Sequence, residues 1–153
     1  MWSVPADLVV ARIAHIFGAI VWVGGMTFLV AVAVPYARSL PTEARIATVS
    51  ALGRRFRPIG WSALVLLVGS GIYQMSRMGL LSWTFLTRTG YGRLLLVKLI
   101  VVSVILALVA LHDFVLGPRL RRGLGSRTTM VALARTNMAL TLAVPVIGVI
   151  LAH

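Results

Sequence analysis

No cysteine occurs in these 153 residues, and only three are acidic: Asp7, Glu43 and Asp113. The first absence excludes disulfides, thiolate metal centres and thiol catalysis. The second removes nearly all the carboxylates on which hydrolysis and proton pumping depend. No HExxH, no GxSxG, no phosphate-cradling glycine loop and no carboxylate pair occurs either. Hydrolytic catalysis therefore has almost no tools here, and whether the chain is an enzyme at all is left open. Low-complexity sequence is also missing, and no convincing internal repeat is evident.

What is present is apolar. Hydrophobic residues make up 59% of the chain, against about 45–50% in a soluble domain, and the mean hydropathy is +0.99. Four long stretches hold this excess, at about residues 8–34, 58–77, 94–116 and 130–152. Each is long enough to cross a ~30 Å hydrocarbon core at about 1.5 Å per residue. Backbone groups in lipid must pair within their own segment, so each stretch is expected to be helical. The expected fold is all-α: one transmembrane domain over residues 1–153, an integral membrane four-helix bundle. The first stretch is too long for the apolar part of a cleavable leader and is expected to be retained as a span. It is expected to end at Pro35, the second to start at Pro58, and the third to stop at Gly117-Pro118. The segment GLLSWTFLTRTGYGR between the second and third reads either as a helix lying in the outer interface with Trp83 as anchor, or as a plain loop.

The formal charge is +12, from 15 Lys+Arg. In a soluble protein this would suggest nucleic acid. Here the cations sit mostly between spans, where they set orientation and meet anionic headgroups, and nucleic acid is not an expected partner. Residues 35–57 hold Arg38, Arg45, Arg54, Arg55 and Arg57; residues 117–135 hold Arg119, Arg121, Arg122, Arg127 and Arg135. The other side has Arg12, Arg77, Arg88, Arg93 and Lys98. The positive-inside bias then puts the first and third connections in the cytoplasm and both termini outside. The expected location is the bacterial cytoplasmic membrane, as a multi-pass protein. The bilayer is the expected partner, with a larger membrane complex or a second copy left open.

Ionisable groups inside spans are costly, and they mark functional sites by default. His15 lies in the first span, roughly 9 Å outward of its midpoint at the helical rise. Its helix face continues through Gly18, Ala19, Trp22, Gly25 and Met26. Such small residues admit either a neighbouring helix or a flat cofactor. In the third span Lys98 and His112 are nearly four turns apart, Lys98 near the outer end and His112, followed by Asp113, near the inner end. Lys98 reads as a cation snorkelling to the headgroups or as a ligand, and His112 as a structural partner or a ligand. His15 and His112 come out roughly 19 Å apart in depth, too far for one mononuclear site. The outer level collects Met75, Met78 and His153, and the inner level His112, Asn137 and Met138.

Two chemistries suit these residues, beside a third reading as an accessory membrane subunit that needs no cofactor. Imidazole and thioether bind copper, which gives His15, Met26, Met75, Met78, His112 and His153 as candidate metal ligands. Haem b would use His15 as axial ligand, with Lys98, His112 or His153 as the second. Gly18 and Trp22 would flank the ring, and cations such as Arg12 would meet the propionates.

Three segments carry a family resemblance: ARIAHIFGAIVWVGGMTFLVAVAVP, RRFRPIGWSALVLLVGSGIY and YGRLLLVKLIVVSVILALVALHDF. Over roughly residues 8–120 the chain resembles the copper resistance protein D (CopD) domain family. The most specific parts are H-x6-W-x-G-G (His15, Trp22, Gly24, Gly25) and YGRLLLVK (Tyr91 to Lys98). The resemblance implies a four-helix membrane domain in copper uptake or export, as a free-standing copy without a periplasmic copper-binding domain. The same scaffold is similar to HemJ-type protoporphyrinogen oxidases, which implies haem b held by His15 and Lys98. The polar signature such chains carry after the first span is absent here, so that likeness extends to haem binding and not to porphyrinogen oxidation.

Overall fold

The computed structural model describes residues 5–152, apart from the side chains of residues 121, 127 and 152. No strand occurs among the described residues. The helices are α1 (Ala6–Phe28), α2 (Val34–Arg38), α3 (Thr42–Arg77), α4 (Trp83–Arg88), α5 (Gly90–Ala110), α6 (Gly117–Arg121) and α7 (Arg127–Ala152). Four continuous stretches are long and apolar enough to span a bilayer: Ala6–Arg38, Thr42–Arg77, Gly90–Leu120 and Thr128–Leu151. The expected all-helical fold with four spans is what forms. Large apolar side chains stay on the outside, as with Val10 at 65% and Val65 at 69% exposure. In water that exposure would be prohibitive, whereas in lipid it costs nothing.

Two prolines expected to end helices do not. Leu29–Ala33 and Leu111–Leu116 are π-helical turns that join α1 to α2 and α5 to α6. Pro35 and Pro118 follow directly, at the starts of α2 and α6. A proline lacks the N–H that would bond the carbonyl four residues back, and its ring crowds that carbonyl. Widening the turn before it relieves both problems. Pro58 also lies inside a helix, because α3 begins sixteen residues earlier, at Thr42. True stops come from glycines with positive φ: Gly79 (68°) after α3 and Gly123 (74°) after α6. The segment between the second and third spans forms α4, capped by Ser82 Oγ accepting from the Phe85 amide at 3.1 Å, so the plain-loop alternative does not hold.

The chain divides into two compact units, Met1–Leu81 and Ser82–His153. In the first unit α1 packs against α3. Gly18 brings the backbones close: a Cβ there would lie 2.9 Å from Leu67 Cγ and 3.0 Å from the Ala63 carbonyl. Trp22 stacks on Phe56 with centroids 6.2 Å apart, above Gly60. In the second unit α5 packs against α7, and α4 folds back onto the start of α5 around Gly92.

The two units share one plan, which the residue pattern conceals. Each has a long apolar helix, a π turn before a proline, a short helix ending in arginine and a return helix with an interior proline. The same spacing, 83 residues, separates Pro35 from Pro118 and His15 from Lys98.

Candidate functional site

His15 projects from α1 onto α3. Its Nδ1 lies 2.9 Å from the Leu67 carbonyl oxygen and 3.1 Å from Ser70 Oγ. A carbonyl only accepts, so Nδ1 carries the hydrogen and donates. Ser70 Oγ spends its own proton on the Leu66 carbonyl at 2.6 Å, which leaves it able to accept from the imidazole. Neutral His15 is thereby fixed as the tautomer whose basic lone pair sits on Nε2. A ligating histidine is commonly oriented this way, by a carbonyl on its other nitrogen. Gly71 makes room for the ring: a Cβ there would lie 3.3 Å from His15 Cε1.

A polar seam continues from His15 towards the chain's start. Gln74 Nε2 donates to the Ser70 carbonyl at 3.2 Å and reaches the Ala11 carbonyl at 3.4 Å. Beyond it Asp7 Oδ2 accepts from Tyr73 OH and from Arg77 Nε, both at 2.8 Å. Sequence reasoning missed Ser70, Tyr73 and Gln74. Their signal was present, since Ser70-Gln74 and Tyr73-Arg77 are polar i, i+4 pairs inside an apolar helix.

The expected site residues separate as follows. Gly18 and Trp22 share the His15 face but form the α1–α3 packing seam. The space a flat macrocycle would need beside Gly18 and Gly25 is filled by Leu67 and Phe56. The residues of this unit therefore do not fit a porphyrin on that face. Met26 is eleven residues from His15, about 16 Å along the helix. Met75 is buried at 8% exposure, one turn beyond Gly71. Met78 is 46% exposed at the end of α3. Arg12 is exposed on α1.

In the second unit Lys98 is partly buried, and its Nζ lies 3.7 Å from where a Cβ on Gly148 would stand. The parallel with His15 over Gly71 is direct: at equivalent positions, each unit reaches a polar group over a glycine of its return helix. His112 sits in the π turn before α6, with Nδ1 3.0 Å from Asp113 Oδ1. His112 and Lys98 are about 21 Å apart along their helix. His153 lies outside the described residues. No group of three or more His, Cys, Asp or Glu that could hold a metal occurs among the described residues.

In comparison with known proteins, residues 50–151 match the family model for copper resistance protein D. The match takes in 102 of the 153 residues, including Lys98 and His112. It leaves out α1 and His15, whereas the resemblance read from the sequence spans residues 8–120. No curated protein and no solved structure matches the chain.

Proposed function

The chain belongs to the copper resistance protein D family, and from that premise we propose that it carries copper across the bacterial cytoplasmic membrane, with His15 as a ligand on the route. Family membership together with four spans makes it a copper-resistance-related, multi-pass membrane protein. What supports the finer reading is the 2.9 Å bond from His15 Nδ1 to the Leu67 carbonyl, which puts the ring's basic lone pair on Nε2, the nitrogen a metal would use.

Met75 supplies the complementary chemistry. A buried thioether one turn beyond the glycine that His15 touches is a soft ligand, and with an imidazole it suits Cu(I) better than a hard divalent ion. So small a ligand set does not form a closed storage cage. Few ligands release a metal readily, which is what passage requires. In this reading copper is cargo, and the chain's part is to offer a nitrogen from α1 and a sulfur from α3.

The test is Cu(I) entry into proteoliposomes that contain a trapped Cu(I) indicator. His15→Ala is expected to lower the initial rate at least tenfold, and Met75→Leu by several-fold, both with normal folded yield. Equal rates in the wild type and His15→Ala would defeat the assignment. A Soret band from the purified wild-type protein would replace copper with haem.

A further inference from the structure

Among the described polar side chains, Asn137 and Thr141 are buried, at 5% and 1% exposure. They lie one turn apart on α7, near the middle of the span Thr128–Leu151. Neither Asn137 Oδ1 nor Thr141 Oγ1 has a hydrogen-bond partner among the described residues. Pro145 follows Thr141 by four residues and has no N–H to offer the Thr141 carbonyl. An amide oxygen that accepts, a hydroxyl that can donate or accept, and a carbonyl that Pro145 cannot serve are thus gathered within about a turn of helix.

The facing helix supplies no donor. Gly148 lies seven residues from Thr141 and eleven from Asn137, so all three share one face of α7. Lys98, Ile105 and Val109 repeat those intervals on α5. The contact of Lys98 with Gly148 sets the antiparallel register, which places Ile105 opposite Thr141 and Val109 opposite Asn137. Ile105 and Val109 are both buried, at 4% and 9% exposure, and both are aliphatic.

The chemistry of the missing partner follows. An oxygen-only set does not attract soft Cu(I). A hard cation would meet the Lys98 ammonium two turns along the same face, and Asp113 is the sole acid between residues 82 and 153. An uncharged donor of small volume remains. We propose that Asn137 and Thr141 hold ordered water at mid-bilayer, in contact with Asn137 Oδ1, Thr141 Oγ1 and the Thr141 carbonyl. Buried water typically makes about three hydrogen bonds to groups the protein leaves unpaired, which matches this set. The fourth span thus carries a hydrated step that does not depend on the His15 assignment.

Water-edited solid-state NMR on the full-length, isotope-labelled chain in lipid bilayers reads this directly. Water magnetisation is expected to reach Thr141 several-fold faster than it reaches Ile105 or Val109. Asn137→Leu should slow the transfer to Thr141 at least about twofold while leaving exposed Ser126 unchanged. The near-isosteric Thr141→Val, read at Asn137, gives the same test where the leucine variant fails to fold. Transfer to Thr141 as slow as to Ile105 overturns the proposal. So does a change in the Thr141 and Asn137 shifts when sodium is replaced by choline, which would identify a cation instead.

Discussion

At the scale of single residues, glycines decide how the first unit closes. Without a hydrophobic force between helices in lipid, α1 and α3 associate through close packing and interhelical hydrogen bonds. Gly18 is where the backbones come nearest, and the atoms a Cβ would strike include the Ala63 carbonyl, which cannot swing aside. Gly18→Leu is therefore expected to destabilise the protein by about 1–3 kcal/mol. Gly24, where an added methyl would meet nothing within 4 Å, is the control. Gly24→Ala should be neutral or slightly stabilising, since alanine favours a helix by up to about 1 kcal/mol. Thermal unfolding of both variants in the same detergent checks the pair, and a similar loss in both would mean that Gly18 is not a packing point. His15 was legible in the sequence as a polar group in a span. Its partners were not, because a backbone carbonyl such as that of Leu67 leaves no trace in residue identity.

At the scale of elements, the π turns decide how the first and third spans continue past their prolines. A π turn holds an extra residue relative to an α-helix, and it sits where Pro35 and Pro118 would otherwise break the ladder. Deleting Val115 should force Leu111–Leu116 towards α-helix and return the full clash to Pro118. The expected cost is about 3 kcal/mol. Adding Pro118→Ala to the deletion should recover most of it, because the amide and the space are then restored. Folded yield and thermal stability of the two variants decide the point: no recovery in the double change would mean that the turn exists for another reason. Helix stops at Pro35 and Gly117-Pro118 were the natural reading of the sequence, since proline usually ends a helix. What it could not display is that a wider turn absorbs the ring. The second span was likewise expected from Pro58, where hydropathy rises, whereas the helix starts at Thr42 because nothing between Thr42 and Arg57 forbids it. The shared plan of the two units stayed hidden for a related reason. It resides in the order of elements and in the positions of His15 and Lys98, while the residues between them differ.

At the scale of the whole molecule, charge gives the orientation. The arginine-rich connections, residues 35–57 and 117–135, are expected on the cytoplasmic side, with both termini outside. A phosphatase fused after His153 should then be active and a fluorescent protein fused there dark; the opposite pair of results would invert the topology. Four spans and an all-helical chain were readable from hydropathy alone, because lipid permits so few alternatives. The reach of α3 was not. At 36 residues it is about 54 Å long, some 24 Å more than the hydrocarbon needs. That surplus carries Arg45, Arg54, Arg55 and Arg57, and it raises a standing positive potential around the start of α3. Small cations are repelled from that end, while an anionic molecule is drawn towards it, and the preference fades as salt shortens the reach of the field.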